Sequence, residues 1–525
     1  MPVPQLFADT TDPLKQKVQK KIEALWSSSY SRTAHHRFQI PNLTEQQLRD
    51  LATLCTNEQS VAEVHKVLLH KLPKTDIHVH AEAGFLMDID LARELARRNG
   101  CRFPEELVDK ANNRWLYRGK ENFDIFLQDF RTISELIHTP KDIEDLMYAF
   151  YKYCYEHNVI FALPGISWVQ CQDKMDFVEF NNAYNAGLAR GIKEFGQTTI
   201  CRLRYYQERH VDTQLFEKIR SLLQAHPNPM IMTIGLAGGE NGFPFSMFKK
   251  YYVDDRANRQ VPNNQWYFLT AHMEEYSTPP QIVAAAEVLD WMAHGRHIAD
   301  DEKCLEEMAR IGQLFESCPL SDQACCPDQV PSVDKHWQLR KLLDRGLVSL
   351  NSDDQGFFGG VAEVYAEVFK KLPASFVELL NCTLNGVSHA SQRSLLDMKQ
   401  YQPEQFAKYM DIVTLGLLKI EFFCQYAALL PHLVKLADLQ LQKDLFTIDL
   451  KTSVANLNGL LARIPAEQQE LVESLRILAA LQEANVNLTA KVTQRTLQGI
   501  EQFTTNTQKF DYQPDQKYSS LMGFQ

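Results

Sequence analysis

Between about residues 72 and 395, short apolar runs rich in β-branched and aromatic residues alternate with stretches whose apolar positions recur at helical spacing. Short strands alternating with helices are typical of βα units, whose strands form a parallel sheet. Eight strands are the number that closes a (β/α)8 barrel. The sequence therefore predicts an α/β protein with a TIM-like barrel, its strand-like runs lying at 76–80, 159–167, 199–206, 230–238, 266–272, 291–297, 314–319 and 347–354. The helices predicted between the later runs include 283–291, 301–312 and 336–345.

The two ends of the chain lack this alternation. Residues 1–70 are polar with helical spacing, and Thr44 followed by Gln47 has the pattern of a helix N-cap. Residues 399–525 are rich in Leu, Ala, Gln and Lys, and their apolar positions follow the helical period. We therefore predict an N-terminal helical extension over 1–70, a barrel over 71–398 and a C-terminal helical region over 399–525.

The apolar faces of the C-terminal helices require a surface to cover them, because an isolated amphipathic helix is not stable in water. These helices must pack on the barrel or on another copy of the chain, so self-association through them is one expectation. The most apolar stretch, 412–430, is interrupted by Lys419, Glu421 and Gln425. We interpret it as a buried helix and not as a membrane span.

Composition narrows the class of protein further. The 525 residues include 55 Lys and Arg against 66 Asp and Glu, which gives a formal charge of −11. An acidic chain without a basic tract is poorly suited to nucleic-acid phosphates or to an anionic membrane surface, so we expect neither partner. The first residues contain no apolar targeting segment, and the eleven cysteines are scattered without a disulfide framework. These features predict a cytoplasmic protein with reduced thiols.

Residues able to bind a metal or transfer a proton follow the predicted strands. His78 and His80 end the first run two residues apart, so both imidazoles point to the same side. Later runs end in further groups of this kind, namely His272, Glu275, His294, Asp353 and Asp354. Each group alone has a plainer interpretation, as surface histidines, a hydrogen-bonded core histidine or an aspartate pair in a turn. Because a barrel assembles its active site from strand ends, the whole series instead predicts a hydrolytic metal centre.

The segments that carry these residues resemble the adenosine deaminase branch of the amidohydrolase superfamily. Six motifs occur in the family's order over residues 72–395: LPKTDIHVHAEAG, GLAGGE, TAHMEE, AHGRH, CPLSD and LNSDDQ. The stretch NFDIFLQDF at 122–130 is similar to the family segment that helps to close the substrate pocket. The motifs are specific as a set, whereas no single one of them is.

The resemblance implies one zinc ion per chain. Three imidazoles and one carboxylate form a ligand set that suits zinc, and bound zinc lowers the pKa of a water molecule towards roughly 7. His294 would orient that water. The residues implied as zinc ligands are His78, His80, His272 and Asp353.

The resemblance also implies how a purine would be held. Glu275 would protonate one ring nitrogen, and Asp354 would share a proton with another while binding the base. The backbone of Gly238 would contact the base, and Glu82 stands in place of the family's ribose-binding Asp. The chain departs from the family here in three ways: Ala81–Gly84 is longer by a residue, Met273 and Glu274 replace small residues, and Gln355 replaces Pro. These departures leave the metal chemistry intact and the exact substrate open.

These features together predict a zinc hydrolase that deaminates a 6-aminopurine nucleoside, adenosine or 2′-deoxyadenosine, to the 6-oxo product and ammonia. Three alternatives stay open: a related purine such as AMP, adenine or methylthioadenosine, a different C–N bond cleaved at the same metal site, and a barrel that serves only as a binding module. The presence of every implied ligand and acid–base group favours an enzyme. No P-C-x-x-C motif occurs, which excludes the zinc deaminases that act on bases in nucleic acids.

Overall fold

Eight parallel strands, each overlapping one of the predicted runs, form a closed ring. The computed structural model describes residues 6, 11–31, 40, 43–55, 60–81, 88–119, 123–261, 264–273 and 276–507. The ring strands are β1 (Lys74–His80), β2 (Val159–Ile166), β3 (Leu203–Glu208), β4 (Ile231–Ala237), β5 (Phe268–Ala271), β6 (Met292–Ala293), β7 (Phe315–Ser317) and β8 (Val348–Leu350). The predicted α/β barrel is therefore confirmed. A short strand, Ile200–Cys201, precedes β3 and pairs with β2, and an antiparallel pair joins Val108–Asp109 to Arg114–Trp115.

Two ladders and two isolated bridges close the ring. Strands β1 to β5 pair in chain order, and so do β6 to β8. A parallel bridge between His272 and Ala293 joins β5 to β6, and one between Val79 and Asp353 joins β8 back to β1. Each of these two bridges therefore contains a residue that the sequence implies as a zinc ligand.

Helices pack around the ring, whose strands are buried on both faces. Their bounds are Ile89–Asn99, Phe123–Ser134, Pro140–Glu156, Phe177–Phe195, Thr213–Ala225, Phe245–Asn258, Pro279–Ala285, Glu302–Ile311, Pro319–Cys325, Trp337–Asp344, Gln355–Phe358, Val361–Lys371, Phe376–Val387 and Gln392–Tyr401. Four 3₁₀ turns lie at Glu105–Leu107, Trp168–Cys171, Arg296–Asp300 and Val333–Lys335.

One of the three predicted barrel helices is misplaced. The helices expected at 301–312 and 336–345 lie within one residue of those bounds. The helix expected at 283–291 instead runs from Pro279 to Ala285, because Thr278 and Gln281 form a capping box and Pro279 occupies the first turn. The chain then turns before β6.

The helices at the two ends of the chain pack together. Their bounds are Pro13–Ser31, Glu45–Ala52, Val61–Lys71, Pro403–Leu433, Leu439–Phe446, Val454–Leu461 and Gln469–Thr507. As predicted, Thr44 caps its helix, with Gln47 completing a capping box. Among the described residues, one helix, Pro403–Leu433, is long and apolar enough to cross a membrane, but its apolar window is 94% buried. It is the buried helix that the sequence predicts.

This helical assembly covers the amino ends of the barrel strands. The Arg202 guanidinium donates to Thr496 Oγ1 at 3.0 Å, and the Lys71 ammonium donates to the carbonyls of Phe446 and Ile448 at 2.8 and 2.5 Å. The C-terminal helices therefore pack on the barrel, which is the first of the two arrangements expected for them. The boundaries of the three parts, and self-association through these helices, stay predictions.

Candidate metal centre and active site

Four side chains implied as metal ligands converge at the carboxyl end of the ring. The Nε2 atom of His272 lies 3.1 Å from that of His78 and 3.3 Å from that of His80. The Nε2 atom of His80 lies 3.3 Å from Oδ1 of Asp353. Ligands held at about 2.0–2.1 Å from a tetrahedral zinc ion are about 3.3–3.4 Å apart. The spacing and the chemistry of these donors therefore fit one divalent metal ion.

The tautomers of His78, which is buried, and of His272, which is partly buried, leave Nε2 available for a metal. His272 Nδ1 donates to the carbonyl of Leu236 at 2.9 Å. His78 Nδ1 lies 3.2 Å from Oε2 of Glu316, a close contact without good hydrogen-bond alignment. Burial, and then the neighbouring histidines, hold the pKa values of His78 and His272 well below the ordinary value. Both imidazoles are thus neutral, which is the form that binds metals.

The two aspartates after β8 have opposite protonation behaviour. Burial alone would raise the pKa of Asp353, but the hydrogen bond from His80 and the charges of His294 and His80 place it well below the ordinary value. Burial raises the pKa of Asp354 to about 7, with a contribution from the Asp353 charge and an opposing one from His80. Asp353 therefore suits a metal ligand, and Asp354 suits proton exchange near neutral pH.

His294 lies beside the four implied ligands and at a greater distance. Its Nε2 atom is 3.9 Å from Oδ2 of Asp353, and its ring centroid is 4.5 Å from that of His78. The chain takes a left-handed turn here, with φ of 56° at His294 and 74° at Gly295. His78, His294 and Cys318 form a second close group of potential ligands. The group of His78, His80 and His272 suits a cation better, because the carboxylate of Asp353 lies beside it. The role of His294 in orienting a water molecule stays a prediction.

A buried ion pair that the sequence did not predict lies next to the metal site. Glu316 accepts hydrogen bonds from the guanidinium of Arg204 and from Trp291 Nε1, the latter at 2.5 Å. The ring of Tyr206 stacks on that of His80 with centroids 4.7 Å apart. A signal was available, because Arg204 and Glu316 are charges in the middle of strand-like runs, where a buried charge needs a partner.

Asp76, which the sequence also did not identify as important, links β1 to the segment that follows β8. Its carboxylate accepts hydrogen bonds from the backbone and hydroxyl of Ser352 at 3.1 and 2.5 Å and from Gln355 Nε2 at 2.9 Å. Ser352 and Gln355 flank Asp353 and Asp354, so Asp76 fixes the position of both aspartates. Gln355, which replaces the family's Pro, thus has a structural role in this chain.

A cavity of about 140 Å³ opens above the metal site. The helix Phe123–Ser134 supplies an apolar wall, as the resemblance of 122–130 implies, through the side chains of Phe126, Leu127 and Phe130. Gly238 also lines the cavity, with φ of 93°, and a Cβ there would lie 3.2 Å from His210 Nδ1. Glycine therefore suits this position by conformation and by space.

Two of the implied site residues, Glu82 and Glu275, lie outside the described residues, as does the neighbouring Glu274. The roles of Glu82 in sugar recognition and of Glu275 as proton donor stay predictions.

A ring of eight parallel strands with histidines and an aspartate at its carboxyl end defines a barrel hydrolase of the metal-dependent class. The family model described as adenosine deaminase matches residues 73–394, more than half of the chain. The protein belongs to the adenosine deaminase family.

Similar proteins include two adenine deaminases. The one from Aspergillus oryzae is 30% identical over 305 residues, covering 56% of this chain and 82% of that protein. The one from Wolinella succinogenes is 27% identical over 344 residues, covering 63% of this chain and 97% of that protein.

Two crystal structures share the fold. An amidohydrolase from Burkholderia ambifaria, with bound Zn, is 21% identical with a TM-score of 0.53, covering 73% of this chain and 99% of that chain. Adenine deaminase from Arthrobacter aurescens is 23% identical with a TM-score of 0.51, covering 65% of this chain and 98% of that chain.

Proposed function

We propose that the protein catalyses the zinc-dependent hydrolytic deamination of adenine to hypoxanthine and ammonia. The observation that supports this most is the convergence of His78, His80, His272 and Asp353 beside Asp354, within the segment that matches the family. Adenine takes the place of the nucleoside expected from the sequence, because the two relatives compared above are adenine deaminases.

His78, His80, His272 and Asp353 would hold a zinc ion, which would lower the pKa of a bound water molecule enough for attack at neutral pH. His294 would orient that water beside the carbon that carries the amino group. Glu275 protonates one ring nitrogen, which makes this carbon electrophilic. Asp354, whose pKa is about 7, shares a proton with a second ring nitrogen. Water adds to this carbon, one of its protons passes to the amino group and the other returns to Glu275, the C–N bond breaks, and the amino group leaves as ammonia.

A substrate panel tests the proposal. Zinc-loaded protein is given adenine, adenosine, AMP and methylthioadenosine, and ammonia release and the change in purine absorbance are followed. Adenine should give the highest kcat/KM, and chelator-treated protein should be inactive until zinc is restored. Higher kcat/KM for adenosine would contradict adenine as the substrate, and no reaction with any of the four would contradict the deaminase function.

We also propose a cytoplasmic location, supported by the scatter of the eleven cysteines along the sequence without a disulfide framework. Fractionation of the source cells, with the protein followed by antibody, tests it. Recovery in a secreted or membrane fraction would contradict it.

A further inference from the structure

A buried carboxylate forms part of the cavity wall and has no role in the chemistry above. Glu208 ends β3, lines the cavity and is only 5% exposed. Alternate residues of a strand face the same side, so Arg204, Tyr206 and Glu208 belong to one face of β3. Arg204 pairs with Glu316 next to the metal site, and Tyr206 stacks on His80. Glu208 is the next position towards the mouth, about 6.6 Å beyond Tyr206 along the strand.

The protein holds this carboxylate in place with three contacts. Ser167 Oγ and Gln170 Nε2 donate to Oε1 at 2.6 and 2.8 Å, and His210 Nε2 lies 2.9 Å from Oε2. Burial alone would raise the pKa of Glu208, but these neighbours, His210 foremost, hold it below the ordinary value. The group is therefore an anion that only accepts hydrogen bonds. A carboxylate has about four acceptor sites, so it retains capacity for one more donor.

The register of the sheet places Glu208 beside the predicted base-binding backbone. Glu208 pairs with Ala237, the residue directly before Gly238. A purine whose amino-bearing carbon faces the metal site directs its opposite edge, with N3 and N9, towards this part of the wall. In the free base N9 carries a hydrogen, whereas in a nucleoside it carries the sugar. A fixed acceptor at this depth is complementary to the hydrogen.

We propose that Glu208 accepts the N9–H hydrogen bond of an unsubstituted purine and makes the site selective for the free base over its 9-substituted derivatives. This inference rests on the proposed deaminase function and assigns a specificity residue to it. A substrate that lacks the N–H leaves a buried acceptor unpaired, and sites built around such a bond reject analogues by up to about 10⁴–10⁵-fold. Glu208 is not implied in any proton transfer, so its effect belongs to binding.

The test compares adenine with 9-methyladenine, in which a methyl group replaces the N9 hydrogen. The intact protein should prefer adenine by at least about 100-fold in kcat/KM. Glu208→Gln presents an amide N–H to the N9–H of adenine. The KM for adenine should therefore rise about 10- to 100-fold with little change in kcat. The KM for 9-methyladenine should hardly change. Glu217→Gln, which removes an exposed carboxylate from the next helix, should leave the preference intact.

Equal use of both substrates by the intact protein would overturn the inference, and so would an undiminished preference in Glu208→Gln. Gln170→Ala removes one of the contacts that hold the carboxylate and should reduce the preference several-fold, which provides a second variant should Glu208→Gln fold poorly. If the zinc-loaded protein deaminates no purine, the proposed function fails. Calorimetric binding of adenine and 9-methyladenine to the same variants then decides on Glu208, and equal binding, or none, would reject it.

Discussion

The two ends of the barrel bury charged groups in different ways. At the amino end, the Lys74 ammonium donates to the carbonyls of Leu72 and His157 at 2.8 and 3.1 Å, and that of Lys419 donates to the carbonyls of Thr198 and Gln197. At the carboxyl end, imidazole nitrogens and a carboxylate oxygen face one another around a single point. The amino end pairs its buried charges with groups of the protein itself, whereas the donors at the carboxyl end would be completed by an ion from outside.

The largest expected effect is loss of a ligand at the carboxyl end. His80→Ala and His272→Ala should each lose metal and activity together while the barrel stays folded. Loss of residues that only support a ligand costs about 10–100-fold, so loss of a ligand should exceed about 100-fold. Elemental analysis, ammonia release and circular dichroism measure the three properties. His432→Ala, on the C-terminal helices, is the matched control and should keep both metal and activity. Full metal content in both ligand variants would contradict a metal site at the carboxyl end.

The next effect separates two adjacent glutamates at the same end. Glu275→Gln should keep its zinc and bind a purine but lose about 10²–10⁴-fold in kcat, because the general acid is gone. Glu274→Gln should change KM more than kcat. Steady-state kinetics on both variants decide the assignment. The reverse pattern would transfer the role of proton donor to Glu274.

A smaller loss is expected from the carboxylate that contacts a ligand. Glu316→Gln should weaken zinc binding about 10–100-fold, since Glu316 faces His78 Nδ1. It should also lower the free energy of unfolding, because the charge of Arg204 loses its buried partner. Competition with a chromophoric chelator gives the zinc affinity. An unchanged affinity would restrict Glu316 to stabilising the barrel.

The amino end should respond in stability and not in catalysis. Burial lowers the pKa of Lys419 to about 7 in the folded protein, against about 10.4 in the unfolded chain. Between these values the unfolded chain binds more protons, so stability should rise as pH increases from 7 towards 10. In Lys419→Met this rise should be smaller, although Lys74, whose pKa is also about 7, retains part of it.

Urea denaturation at pH 7, 8.5 and 9.5 measures this difference, with the exposed Lys435→Met as control. The kcat/KM of Lys419→Met should equal that of the unaltered protein. If the free energy of unfolding rises equally with pH in Lys419→Met and in the unaltered protein, burial of the Lys419 charge does not explain the rise. A loss of kcat/KM in Lys419→Met would show that the amino end of the barrel also affects catalysis.

The strands and the strand-end residues could be predicted because both depend on local pattern. A strand covered on both faces is predicted from a short apolar run. His78 and His80 are two residues apart in such a run, and this spacing places both side chains on the same face of the strand. The supporting residues were missed because their partners are remote in sequence. The Arg204–Glu316 pair spans 112 residues, so a charge in a strand indicates that a partner exists without naming it.

The misplaced helix has the same origin. The apolar spacing of 283–291 continues past Ala285, but the following segment serves contacts that a local pattern does not encode. Asp290 accepts hydrogen bonds from the Leu269 backbone at 2.7 Å and from Arg259 at 2.6 Å. Glu208, the specificity residue that we propose, could not be found from the sequence for a related reason, because it and its three neighbours come together only in the folded cavity.

Asp76 joins β1 to the segment after β8, and this has a consequence for biogenesis. Ser352 follows Asp76 by 276 residues, so at about 5–20 residues per second the ribosome needs roughly 14–55 s to make the intervening chain. His78 and His80 exist throughout this interval without the carboxylate of Asp353. The bridge between His272 and Ala293, which joins β5 to β6, likewise cannot form until β6 has been synthesised. Tight capture of the ion therefore has to wait until the chain has been made as far as Asp353 and the ring has closed.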